Sequence, residues 1–193
     1  FDRADERSSL YDPSAVTEAN AFKGLFKGFR IVSDEPLTIE YYSDAYAIDA
    51  EQCVAALWPE GAAGQAAWHV LAVCSLTEAE GETAFSSSRA QQTNAEWTNL
   101  LYGPSLPLLE EACERAAAER LIPYPAVMSD YITADEAAAR YRSLLEFYTA
   151  HGHMWIGTGP YILDRVDAGA GSMTLVCNSD YVDLCNRWTD AQE

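Results

Sequence analysis

The hydrophobic positions change period along the chain, and the changes mark out its elements. Residues 1–20 are polar and turn-rich, with Asp12-Pro13 breaking any pattern. They predict a surface lead-in with little structure of its own. A period of two follows. Phe29, Ile31 and Ser33 alternate with Arg30 and Val32, and Leu37, Ile39 and Tyr41 alternate with Thr38, Glu40 and Tyr42. Asp34-Glu35-Pro36 lies between the two runs, so they predict a β-hairpin. The middle of the chain switches to helical spacing. Residues 62–80 place Ala67, Leu71 and Cys74 on one face; Gly81 interrupts, and residues 84–90 add a further turn or two. After a break at Tyr102-Gly103-Pro104, residues 105–121 place Leu106, Leu109, Cys113 and Ala116 together, and Pro123 and Pro125 end that helix. Thr133 and Glu136 have capping-box spacing at the head of a third helix, lined by Ala137, Tyr141, Leu144 and Tyr148 and stopped by Gly152. Residues 160–166 and 172–177 then flank a glycine-containing loop and predict a second hairpin. The tail from Asn178 is polar apart from Tyr181, Val182, Leu184 and Trp188. Strand pair, helices, strand pair predicts an α+β fold: two β-hairpins in a small, mainly antiparallel sheet, packed by the helical middle segment. With no linker and no repeat, residues 1–193 read as a single domain.

Charge narrows the function. Thirty acidic against twelve basic residues give a net charge of −18. A nucleic acid or an anionic bilayer would repel such a chain, so neither is an expected partner. The longest uncharged stretch, residues 61–77, includes Gln65 and His69 and is too short and too polar to span a membrane. No membrane insertion is expected. The chain opens on Phe1-Asp2-Arg3, without the basic and apolar regions of a signal peptide. Five cysteines are present, with no C-x-x-C pair. Cys53, Cys74 and Cys113 lie in Ala-rich helical stretches and read as small buried apolar residues. Cys177 and Cys185 are spaced to bridge in an oxidising compartment, or to stay as thiols.

Candidate chemistry is sparse. The string nearest a serine elbow, Gly103-Pro104-Ser105-Leu106-Pro107, lacks the second glycine, so Ser105 reads as a helix cap. No phosphate-binding loop fits, and Gly157-Thr158-Gly159-Pro160 reads as a tight turn feeding a strand. His151 and His153 are placed to share a metal ion from one face of a strand. They lack a third ligand nearby in sequence, and a helix-end histidine beside a surface or core histidine is the plainer reading. Glu110 and Glu114 read as a solvated helix face, and Glu111 and Arg115 as an i, i+4 ion pair. Two aromatic groups, Tyr41, Tyr42 and Tyr46, and Trp155 with Tyr161, read either as cleft walls or as ordinary packing. No catalytic residue, metal ligand or cofactor is assigned, and the ligand-binding residues stay unassigned.

Three stretches carry a likeness to a known family. They are Phe26-Lys-Gly-Phe-Arg-Ile-Val-Ser-Asp-Glu-Pro-Leu-Thr-Ile-Glu-Tyr-Tyr42, Gly157-Thr-Gly-Pro-Tyr-Ile-Leu-Asp-Arg-Val166 and Asn178-Ser-Asp-Tyr181. Together they resemble the extracellular solute-binding protein family 5, the peptide and nickel type of ABC-transporter receptor. There a hairpin precedes a Gly-Thr-Gly-Pro-Tyr strand, and an Asn-Pro-Asp-Tyr-Trp stretch follows. Gly157 to Tyr161 matches fully, whereas Ser179 and Val182 stand where Pro and Trp are usual. The resemblance implies part of a periplasmic-binding-protein type II lobe, with residues 47–155 a helical insertion. It implies an internal piece of a longer receptor, without its leader or second lobe, where most ligand-recognising residues lie. It further implies the substrate-binding component of an importer, not an enzyme, located outside the cell or in the periplasm. Peptides or other small solutes and ABC permease subunits would be its partners. A stand-alone interaction or scaffold domain derived from this subfold, and a hydrolase with a spatially assembled site, are the competing readings.

Overall fold

A computed structural model describes residues 2–46, 48, 49, 51 and 67–182. Helix takes up 44% and strand 20%, which makes the fold α+β. The chain divides into two compact units, Phe1–Gln65 and Ala66–Glu193.

In the first unit, short 3-10 turns at Asp2–Ala4 and Pro13–Ala15 lead into α1 (Val16–Leu25). The lead-in is therefore structured, contrary to the sequence expectation. The Asp12-Pro13 pair that reads as a break is an N-cap followed by proline at the first helical position, where the missing N–H costs nothing. The Asp12 carboxylate is buried and accepts from the backbone N–H and the hydroxyl of Ser14 at 2.9 and 2.6 Å. Chain continues directly from α1 into β1 (Phe26–Asp34), which pairs antiparallel with β2 (Leu37–Ser43). Two register shifts, one between Phe26 and Gly28 and one between Ile31 and Ser33, keep Phe26, Phe29 and Ile31 opposite Ser43, Tyr41 and Ile39. Alternation then makes that face apolar, while Arg30 and Glu40 pair at 3.0 Å on the other.

The second unit is built on three helices, α2 (Trp68–Ala79), α4 (Ser105–Glu119) and α6 (Ala134–His151). Val70, Val73, Cys74, Leu109, Cys113, Ala137, Tyr141 and Leu144 form their shared core. The buried stripes of α4 and α6 are those the sequence predicts. The face of α2 is not: Leu71 is half-buried, whereas His69, Val70, Val73, Thr77 and Glu78 are buried. A helix apolar nearly all round offers periodicity no face to choose; Thr77 and Glu78 are buried because partners meet them, whereas His69 Nδ1 is buried without a hydrogen-bond partner. Thr77 Oγ1 lies 2.7 Å from Thr83 Oγ1, and the Glu78 carboxylate accepts from the Phe85 N–H at 3.1 Å and faces Arg89 Nε at 3.4 Å. Between α2 and α4, the two-residue strands β3 (Thr83–Ala84) and β4 (Glu96–Trp97) pair in parallel around α3 (Ser87–Thr93). After a single turn, α5 (Pro125–Met128), the capping box of Thr133 and Glu136 opens α6, and Gly152, at φ 75°, closes it. Strands β5 (Tyr161–Asp167) and β6 (Ser172–Cys177) form the second hairpin, with Gly171 at φ 62° in the loop.

The two hairpins do not share one sheet. Each of β1–β2, β3–β4 and β5–β6 is a two-stranded sheet of its own among the described residues. Alternation in a sequence reports pairing across a local turn and carries no information about which outer edges meet.

Candidate functional site

A partly buried polar arrangement lies where α6 ends and β5 begins. The αL turn at Gly152 reverses the chain, and Met154 N–H then donates to the Leu100 carbonyl at 2.8 Å. This buries His153 completely. Its Nδ1 accepts from the Trp155 N–H at 3.2 Å, and its Nε2 lies 3.1 Å from the Leu163 carbonyl. A backbone N–H cannot accept and a carbonyl cannot donate, so the partners assign the neutral tautomer with its proton on Nε2. Burial holds the imidazole below its ordinary value of 6.5. His151, half-buried, sits with Nδ1 3.1 Å from the Asp164 carbonyl and 3.2 Å from its carboxylate. The Phe147 ring packs on both histidines, at 4.4 and 5.3 Å between centroids.

Sequence spacing allows these histidines to share a metal ion, but they take the plainer parts expected of them, His151 at the helix end and His153 in the core. Both nitrogens of His153 are committed to backbone groups, which leaves it no lone pair for a metal ion. The carboxylate missing near His151 in sequence is Asp164, brought from β5. No group of three His, Cys, Asp or Glu able to hold a metal is found among the described residues.

The glycine turn and the Asn178 stretch meet. Asn178 Nδ2 donates to the Gly159 carbonyl, and its backbone N–H to that of Pro160, both at 2.9 Å. The turn is thus fastened on one side by His153 and on the other by Asn178. The β5–β6 hairpin that it feeds has two unlike faces. Leu163 pairs with Leu175 and Arg165 with Thr174, so Asp164 is an extra, bulged residue. The bulge moves Val166 onto the face of Tyr161 and Leu163, opposite Met173, Leu175 and Cys177. That face is wholly apolar, yet Tyr161, Met173 and Leu175 are 62%, 63% and 56% exposed.

The aromatic groups separate. Tyr41 lies on the apolar face of its hairpin, ring to ring with Phe26 at 5.6 Å. Tyr42 lies on the opposite face, its hydroxyl donating to Glu40 at 2.5 Å, and Tyr46 is exposed. No single wall can hold adjacent strand residues. Trp155 and Tyr161 are both exposed beside the glycine turn. A concavity that sequence reasoning did not find, of about 520 Å³, lies over the start of α6, with Trp68, Met128, Tyr131 and Ile132 as apolar lining and Glu136 and Arg140 at its polar side. Its residues come from three separate stretches, so no local pattern marks it. The Glu136 carboxylate accepts from the N–H and hydroxyl of Thr133, both at 2.8 Å, and those bonds hold it below the usual carboxylate range.

Other sequence candidates have structural places. Ser105 does not cap α4, which begins after Pro104 without a side-chain cap. Its buried hydroxyl instead accepts from the Asn99 N–H at 2.9 Å and donates to the Asn99 carbonyl at 3.0 Å, tying the preceding loop to the helix. Arg115 donates to both carboxylate oxygens of Glu80, at the end of α2, at 2.7 Å, while Glu111, its expected i, i+4 ion-pair partner, adds its charge nearby. The thiol of Cys113 is buried, donates to the Tyr141 carbonyl at 3.4 Å and is pushed up to about 12 by burial. Cys177 is exposed; the Cys177–Cys185 bridge falls on a residue outside the described ones, as does Cys53. No helix among the described residues is long and apolar enough to cross a membrane.

No protein-family model matches this chain, and comparison with curated proteins finds no match.

Proposed function

We propose that this chain is part of the substrate-binding component of an ABC importer for peptides, one piece of a two-lobed receptor that holds its ligand and performs no chemistry. The observation that carries this reading is the apolar face of β5–β6. A two-stranded hairpin is marginal alone, and one with exposed Tyr161, Met173 and Leu175 on a single face is built to be covered. A larger lobe supplies such a cover. The fastening of the Gly157–Tyr161 turn by Asn178 supports it as well, since two of the three stretches that resemble the receptor family meet in space. The Trp68 concavity is large enough for an apolar peptide side chain.

The test is a thermal-shift series on the natural full-length protein against peptides, sugars and metal ions. The proposal expects stabilisation by peptides. Failure of every peptide to raise the melting temperature overturns the ligand class. The same exposed face also favours a scaffold domain covered by a separate partner protein; that reading expects the face to stay open in the full-length protein until the partner is added.

A further inference from the structure

The buried histidine just beyond α6, His153, bears on the fold independently of any ligand. His153 fastens the segment that leads into β5 through an acceptor nitrogen, and an acceptor nitrogen is lost on protonation. We propose that His153 is an acid-sensitive latch: taking up a proton at Nδ1 unfastens the segment from Trp155 into the glycine turn from the end of α6.

The geometry makes the response one-sided. In the neutral ring, Nδ1 accepts from the Trp155 N–H and Nε2–H donates to the Leu163 carbonyl. In the imidazolium both nitrogens carry protons. The Leu163 bond survives, and the new Nδ1–H points at the Trp155 N–H, donor against donor. Phe147 packs edge-on against the ring, and the adjoining Met154 is buried. The ring therefore keeps its hold on β5 while Trp155 is released. Upstream, Met154 stays anchored to Leu100; downstream, Asn178 still grips Gly159 and Pro160. The freed stretch is the short span between these two anchors, and it carries the exposed Trp155 ring.

Two titratable groups face His153. His151, 6.0 Å away between ring centres on the same turn, opposes a second positive charge there. Asp164, from β5, favours it.

The experiment follows the 193-residue chain by NMR from about pH 7.5 to about pH 5, a range that brackets the ordinary histidine value. Ring ¹⁵N signals report the His153 tautomer, and the Trp155 amide protection factor, corrected for the intrinsic exchange rate, reports the latch. The expected result is the Nε2–H neutral form at the upper end. Below the onset of protonation, Trp155 protection should fall about tenfold per pH unit in step with the ring, while the Leu109 and Cys113 amides of α4 hold. In His153→Gln the side-chain amide can offer N–H to Leu163 and oxygen to Trp155 without titrating, so protection there should be flat. His151→Gln should retain the response. The proposal is overturned if the ring stays neutral until the whole chain unfolds, or if it protonates with Trp155 protection unchanged. It also falls if His153→Gln loses protection with the same pH profile. Should that variant not fold, the paired ring and amide titrations of the native chain decide the question alone.

Discussion

At the residue scale, buried polar side chains decide what the helical core can tolerate. Glu78 is wholly buried, and Arg89 nearly so. Removing one member of such a pair strands a charge, whereas removing both charges does not. Arg89→Leu should therefore cost about 3 kcal/mol in denaturant unfolding, and adding Glu78→Gln, which still accepts from Phe85, should recover part of that loss. Strict additivity of the two changes would contradict a buried ion pair. His69 and His153 add a pH dependence. Burial lowers both, with Arg140 adding to the effect at His69. The folded chain then binds fewer protons than the unfolded one below 6.5, so their contribution is complete above that value and is lost as pH falls through their lowered folded values. Neutralising some of the −18 charge works in the other direction. The difference between the native chain and His153→Gln isolates the His153 part: the native chain should lose more stability on acidification.

At the element scale, the boundaries of α6 rest on a few residues, Thr133 with Glu136 at its start and Gly152 at its end. Gly152 closes α6 at φ 75°, and a methyl added there meets nothing within 4 Å. The cost of Gly152→Ala is thus conformational, not steric, and should be about 1–2 kcal/mol. A loss near zero would mean that this turn relaxes to another geometry. Leu109→Ala, at a fully buried position of α4, should cost about 2–5 kcal/mol through lost burial and the cavity left behind. The legibility of the fold divides along the same line. The stripes of α4 and α6, the capping box and both hairpins are readable because their signals are local: spacing, caps and alternation. Helix α1 was hidden because Asp12-Pro13 is a breaker in one context and a cap in another. Strands β3 and β4 are too short to show a period. The pairing of Arg115 with Glu80, the approach of Asp164 to His151 and the concavity beside Trp68 all join distant stretches, and spacing carries no information on those. The split of Tyr41 from Tyr42 was available from strand alternation alone.

At the scale of the whole molecule, the apolar sides of the hairpins bear on what the protein is. In the first unit, Phe29, Leu37 and Ile39 are exposed on one face of β1–β2; in the second, Tyr161, Met173 and Leu175 are exposed on one face of β5–β6. Neither surface suits water, and a strongly negative charge alone does not hide it. The receptor lobe proposed above, continuing beyond these hairpins, would account for both.

Cys177 gives direct access to that claim, because it shares the apolar face of β5–β6 and is exposed, while Cys74 and Cys113 are buried. After reduction, maleimide labelling of this residue can be followed by peptide mass mapping in the 193-residue chain and in the natural full-length protein. The account predicts ready labelling of Cys177 in the former and protection in the latter, with Cys113 slow in both. Equal labelling of Cys177 in the two would contradict it.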